Sequence, residues 1–213
     1  MSAPGGLSLA FAALRPDRAG SEGLELSGAP SDLQILVLAR EDAHAALEIA
    51  YGAYKVRVYT FLLRFTGDPE LADDIVQDTF TKALVALPGF ARDQRVLPWL
   101  FRVAHNAAID QLRRRQRFQW VRFPKLAGTR HEPESVDRHE AIPERHHIEA
   151  ILRGLPPENA AALLLHALEG YSYKEIADIQ GCSLTAVRSR IARGRQAFRE
   201  QYATTDPRRS SMG

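Results

Sequence analysis

The chain has 213 residues, 45% hydrophobic and 25% charged, a globular composition with room for one large domain or two small ones. Its 28 Lys and Arg against 26 Asp and Glu leave a formal charge of only +2, so bulk charge does not mark a polyanionic partner and the placement of charge has to be read instead. The one cysteine, Cys182, excludes an intramolecular disulfide framework and a Cys-cluster zinc site, and no apolar run reaches the roughly 20 residues of a membrane span, so a cytoplasmic chain without membrane insertion is expected.

In chain order, residues 1–30 are rich in Gly, Ser, Ala and Pro without a sustained period, and a mobile tail is expected there. Folding is predicted to begin at Ser31, which with Gln34 has capping-box spacing ahead of Leu33, Ile35, Leu36 and Leu38. The helical pattern continues through Leu47, Tyr51 and Tyr54, with Gly52 expected to bend or interrupt it. From Ala72 the apolar set Ala72, Ile75, Val76, Thr79, Phe80, Ala83, Leu84 and Leu87 repeats at three-and-four spacing, the cleanest helix signal in the chain. Pro88 and Gly89 end it. Pro98 suits a first helical position before Leu100, Val103, Ala104 and Ala107. No segment alternates like a strand, so an all-α fold is predicted.

Between residues 118 and 144 the pattern dissolves into Pro, Gly, His and mixed charge, the composition of a linker. The second half then reads as four helices, one around Ile148 to Leu152, one opened by Pro156 and Pro157, and a last pair separated only by Gly181, Cys182 and Ser183. In that pair Ser172 and Glu175 have capping-box spacing, Ile176 and Ile179 face inward, Gly181 suits a left-handed terminus, and Ser183 can cap the final helix. Leu184, Val187, Ile191 and Phe198 form its predicted buried side, and Thr185, Arg188, Ser189, Ala192, Arg193 and Gln196 one exposed stripe. This is a helix-turn-helix with a recognition face. A helix fits the major groove, where arginine can bridge two guanine acceptors, so Arg188 and Arg193 are the leading base readers. Arg190 and Arg195 lie off the stripe and suit phosphate contacts; a merely solvated basic helix is the plainer alternative.

The residues Tyr173-Lys-Glu-Ile-Ala177, Val187-Arg-Ser-Arg-Ile191 and Ala192-Arg-Gly-Arg195 resemble region 4 of the extracytoplasmic-function sigma factors of bacterial RNA polymerase, and Leu155-Pro-Pro-Glu158 resembles its usual opening. The resemblance implies that this domain binds the minus-35 promoter element, through Ser183, Thr185, Arg188, Ser189, Arg190 and Arg193, and the flap of the polymerase beta subunit. The chain departs from the pattern twice. Ala160 stands where the family commonly has arginine, and Thr185-Ala186 where it has Gly-Thr, so Ala186 inherits no DNA contact.

The first half carries its own match. Ala72-Asp-Asp-Ile-Val-Gln-Asp-Thr-Phe80 resembles region 2.2, which implies docking on a coiled coil of the beta-prime subunit through the outer stripe Asp74, Gln77, Asp78 and Thr81. As a metal or acid-base set, Asp73, Asp74 and Asp78 lack a nearby His or Cys, and their place early in a helix already accounts for their charge. The run from Pro98 to Arg115 resembles regions 2.3 and 2.4, which melt and read the minus-10 element. Arg102, Asn106, Asp110, Arg113 and Arg117 recur about every fourth residue there, with Arg114, Arg115 and Arg122 adding charge for a strand backbone. Strand opening requires only a site that holds an extruded base well enough to offset unstacking. The segment from Gly89 to Leu97, with Phe90 and Asn106 near it, is the implied pocket, and the implied minus-10 set is Phe90, Asn106, Asp110, Arg113, Arg114 and Arg117. Trp99 and Phe101 read as core.

The predicted organisation is a tail (1–30), a region 2 domain (31–117), a linker (118–144), a region 4 helix-turn-helix domain (145–202) and a second tail (203–213). In and just after the linker Glu132, Glu134, Asp137, Glu140 and Glu144 mix with His131, His139, His146 and His147. The family's linker passes through the polymerase cleft; a zinc site would be the alternative, against which the scattered histidines argue. The implied function is promoter-specific initiation with core RNA polymerase, under an anti-sigma factor, without cofactor or catalysis of its own. An autonomous helix-turn-helix regulator explains only the second half, and a nucleic-acid enzyme would need a nucleophile-base set, phosphate loop or metal cluster that the sequence lacks.

Overall fold

A computed structural model describes residues 31–122 and 143–205. The first helix, α1 (Asp32–Leu38), opens with the expected box, the Ser31 hydroxyl accepting from the Gln34 N–H and Gln34 Oε1 accepting from the Ser31 N–H at 2.8 Å. The chain breaks next at Asp42, not at Gly52. The Asp42 carboxylate accepts from the N–H groups of His44 and Ala45 and so starts α2 (Ala43–Thr66), in whose uninterrupted run Gly52 faces open space. A cap that satisfies two orphan amides sets the boundary more strongly than one exposed glycine, which costs a helix only about 1 kcal/mol.

The third helix, α3 (Pro69–Ala86), starts three residues earlier than its apolar period, because Asp68 accepts from the Leu71 N–H and Pro69 sits where no amide hydrogen is needed. Of its predicted inner face Ala72, Ile75, Val76, Thr79, Phe80, Ala83 and Leu87 are buried and Leu84 is half-buried, and Leu71 joins them. A short 3-10 turn (Leu87–Gly89) ends it. The fourth helix, α4 (Val96–Arg122), begins two residues ahead of Pro98. Asp32 explains this: one carboxylate oxygen accepts from the Val96 N–H at 3.2 Å and the other from the Tyr54 hydroxyl at 2.6 Å, joining α1, α2 and the start of α4. Pro98 remains within the first turn, where a missing N–H breaks nothing.

The second group comprises α5 (Pro143–Gly154), α6 (Pro157–Ala167), α7 (Tyr173–Gln180) and α8 (Leu184–Thr205). Residues 159–165 of α6 are buried without a break, since this helix is covered by α7 and α8 on one side and by α2 and α4 on the other. Its contact with α8 is close at Gly194, where a Cβ would stand 3.2 Å from the Asn159 carbonyl oxygen. Among the described residues there is no strand, and the fold is all-α as expected.

The two groups share one continuous core, an arrangement that a flexible tether alone would not impose. Phe101 of α4 is fully buried, with its ring edge-on to Phe61 of α2 at 5.2 Å and to Tyr171 of the second group at 5.7 Å. Burying such a side chain contributes about 1.5–3 kcal/mol. Burial pushes the Tyr171 phenol up to about 12, so it is neutral at any physiological pH.

At Asp68, burial pushes the carboxyl up, but the Leu71 N–H and the Arg115 guanidinium, 2.7 Å away, outweigh it and hold it below the ordinary carboxylate range. Replacing Asp68 by Ala is expected to cost about 1 kcal/mol in urea unfolding at pH 7. A carboxyl depressed in the folded state stabilises above its unfolded pKa and loses that effect as pH falls through its folded one, so the difference between variant and parent should shrink towards pH 3. A cost that persists unchanged in acid would remove the charge from this account.

Candidate nucleic-acid interface

The helix-turn-helix is built locally. Ser172 and Glu175 close a capping box at the start of α7, and Gly181 ends that helix at φ 60°, a conformation that side chains disfavour. Two residues later the Ser183 hydroxyl accepts from the Ala186 N–H at 3.2 Å and starts α8. Val187, Ile191 and Phe198 are buried, as expected. Leu184 is not: it stands 41% exposed, one turn ahead of Val187 at the open end of the helix.

Thr185, Arg188, Ala192, Arg193 and Gln196 are exposed along the predicted stripe, with Ser183 beside it and Ser189 half-buried. Arg190 is turned elsewhere. Its guanidinium donates to Gln180 Oε1 at 2.8 Å and to Cys182 Sγ at 3.1 Å, so in this conformation it braces the turn instead of reaching out for phosphate. Ala160, the departure from the family pattern, is buried in α6 at 2% exposure, a place that suits a small apolar side chain.

On α4, Asn106, Asp110, Arg113 and Arg114 are exposed, and the Arg117 side chain lies outside the described residues, as do residues 123–142 with His131 and His139. His147 stands against the Tyr202 ring at 5.4 Å. Phe90 departs from the sequence reading. It is 7% exposed and edge-on to Trp99 at 5.2 Å, so it belongs to the core that supports the loop and not to a base-facing surface. Behind Asn106, His105 is buried against Phe65 with Nδ1 3.3 Å from Asn106 Oδ1, and burial lowers its pKa, which the Asn106 contact only partly opposes. It is therefore a neutral platform beneath the polar face.

On α3, Asp74, Gln77, Asp78 and Thr81 are all exposed, and Val85 continues the same side at 81% exposure. The three polar surfaces thus lie on three helices and all are exposed, two on open sides and the third, on α4, at the edge of a cleft.

The third meets the second half of its own chain. Arg113 pairs with Glu158 at the start of α6 at 3.1 Å, Arg95 with Glu175 of α7, and Arg57 of α2 with Glu169 at 2.7 Å. The Arg153 side chain crosses over Gly67 at the end of α2. Burial pushes the Glu158 carboxyl up, but its own N–H and Arg113 prevail and hold it below the ordinary range. Between the halves lies a cleft of about 290 Å³, whose walls include Asn106, Asp110 and Arg113 from α4 and Glu158, Gln180 and Arg190 from the other side. None of the cross-group pairs was legible in the sequence. The partners are 45 to 112 positions apart and belong to no period, and Glu175 was already accounted for as a cap.

Comparison with known families matches residues 50–118 to the sigma-70 region 2 family and residues 145–198 to sigma-70 region 4. The chain is similar to the RNA polymerase sigma factor CarQ of Myxococcus xanthus, 32% identical over 76% of this chain and 91% of the relative. It is also similar to the ECF RNA polymerase sigma factor SigM of Bacillus subtilis (strain 168), 31% identical over 71% of this chain and 92% of the relative. Among solved structures, the sigma factor RpoE in complex with the anti-sigma factor NepR from Bartonella quintana shares the fold, with a TM-score of 0.57 and 23% identity over 81% of this chain and 96% of that one. Region 2 followed by region 4 at these positions, with relatives matched over nine-tenths of their length, makes this chain a member of the extracytoplasmic-function sigma factors, the subunits that direct RNA polymerase in transcription initiation.

Proposed function

We propose that three helices divide the work of promoter recognition, with α3 docking core polymerase, α4 opening and reading the minus-10 element, and α8 reading the minus-35 element. The observation that carries this is the Ser183-capped α8, which turns Arg188 and Arg193 outward on a helix braced against α6 and α7. Arginines so held can reach guanine edges in the major groove, each good contact giving about 1–3 kcal/mol of discrimination. Along α4, Asn106, Asp110, Arg113, Arg114 and Arg117 suit an unstacked strand, the arginines for its backbone and the shorter polar groups for base edges. The exposed acids of α3 with Gln77 and Thr81 offer a partner an acidic, hydrogen-bonding stripe, which the beta-prime coiled coil would take, and the second half would meet the beta flap.

The protein acts without catalysis of its own: binding energy opens the duplex and the polymerase performs the chemistry. No described helix is long and apolar enough to cross a membrane. The anti-sigma partner in the Bartonella complex supports control of this chain by an inhibitor of that kind. The two working domains are read as residues 31–117 and 145–202.

Asp74→Lys and Asp78→Lys are each expected to weaken capture of core polymerase at least tenfold in a pull-down titration, with thermal unfolding unchanged because both positions are solvent-facing. Normal capture by both would remove α3 from polymerase docking.

Arg188→Ala and Arg193→Ala should each reduce initiation from a promoter with an intact minus-35 element by roughly ten- to a hundredfold while core binding is kept. The measurement is transcription with core polymerase, with and without the protein. If the parent protein does not redirect initiation, or shifts promoter DNA as a stable dimer without polymerase, the autonomous regulator becomes the better reading.

A further inference from the structure

We infer that α1, with the turn that follows it, is a clamp on the strand-opening loop. Arg40 and Asp32 hold the two ends of the segment between Gly89 and Leu97 and so fix where its exposed residues stand when a base leaves the stack. The inference rests on the reading of this loop and α4 as the minus-10 site and deepens it by naming the residues that position the loop.

The two contacts are remote in sequence and fall at matching places. The Arg40 guanidinium donates to the Phe90 carbonyl at 3.2 Å, where the chain leaves the 3-10 turn. The Asp32 carboxylate accepts from the Val96 N–H, also at 3.2 Å, where the chain enters α4. Between these anchors Ala91, Arg92, Asp93 and Arg95 are exposed and Gln94 is half-buried. Within that stretch the Gln94 N–H donates to the Ala91 carbonyl at 3.0 Å and folds it into a turn. The loop therefore has a set shape, and both of its ends are held by one short element.

The clamp is itself well seated. Ile35, Leu36 and Ala39 are buried in the core, as are Phe90 and Val96 at the anchors. The second Asp32 oxygen takes the Tyr54 hydroxyl, so α2 orients the carboxylate that meets the loop. Burial, and then the Asp32 bond, push the Tyr54 phenol up, so it stays a donor at physiological pH. Val96 is also the first residue of the helix that carries Asn106 and Asp110. One carboxylate thus sets the loop in register with the polar face of α4.

Position matters here because holding an extruded base is a question of fit. A loose loop would have to be ordered as the base arrives, and that ordering subtracts from the binding that offsets unstacking. Arg40 lies at the surface, where losing one bond changes stability little. Its loss should therefore show in strand opening before it shows in the fold.

The test uses holoenzyme assembled from the full chain and core polymerase, with a fluorescent adenine analogue in the minus-10 element reporting base extrusion. Arg40→Met keeps the stem and removes the donor, and Asp32→Asn leaves one acceptor facing two donors; each should slow extrusion from duplex promoter about tenfold. Arg40→Lys restores a donor and should recover most of the rate. On a promoter mismatched across the minus-10 element the bases are already unpaired, and there both slow variants should initiate as the parent does. A defect that persists on that template would trace to general folding and overturn the clamp. The salt dependence of promoter binding by Arg40→Met should match the parent's, whereas a slope shallower by about one would make Arg40 a phosphate contact and overturn it too. Asn106→Ala separates the clamp from the reading beneath it. Normal extrusion by Arg40→Met with a loss in Asn106→Ala removes the clamp alone, and normal extrusion by both removes the minus-10 reading and the clamp with it.

Discussion

The contact that ties the two halves of this molecule into one core is made at Phe101. Among the described residues its ring is the fully buried one that touches aromatic partners in both halves, Phe61 in the first and Tyr171 in the second. Aromatic edges packed against faces have a preferred geometry, so the contact orients as well as attracts. It lies on α4, whose opposite side carries Asn106, Asp110 and Arg113. One helix therefore serves as the spine of the first half, the seat of the second and the polar surface between them. The cost of that economy is conflict: side chains that suit a nucleic-acid backbone also suit carboxylates of the same chain.

How much of this was legible in the sequence depended on the distance over which each signal acts. Local chemistry was readable. The boxes at Ser31 and Ser172, the left-handed Gly181, the Ser183 cap and the inner face of α3 follow from residues within one or two turns, and the structure has each of them. Boundaries set by remote partners were not readable. The start of α4 moved because Asp32, 64 positions away, takes the Val96 N–H, and the break before α2 was masked by an apolar pattern running past Asp42.

The surface residues divide in the same way. Periodicity placed the α3 and α8 stripes outward, since amphipathic helices leave little choice about which side faces water. The resemblance put Phe90 near the base pocket, whereas it packs against Trp99, and Arg190, read as a phosphate contact, turns to Gln180 and Cys182 across the turn. Resemblance supplied the roles, polymerase docking above all, because an acidic helix face by itself is usually just wet. The pairing of the halves came from neither source. It depends on complementary charges far apart in sequence, which have no signature until the chain is folded.

The glycine in the Ala192-Arg-Gly-Arg195 run has a mechanical consequence. At Gly194 the recognition helix rests on the Asn159 carbonyl with no room for a side chain, which makes this point a fulcrum. Thr185 and Arg188 lie about 9 to 14 Å further along the helix axis. A few tenths of an ångström added at the fulcrum would swing that arm, and the tips of its arginines move further than the pivot does. On the proposed reading of α8 as the promoter-reading helix, how deep it would sit in a groove would depend partly on the side chain that Gly194 lacks.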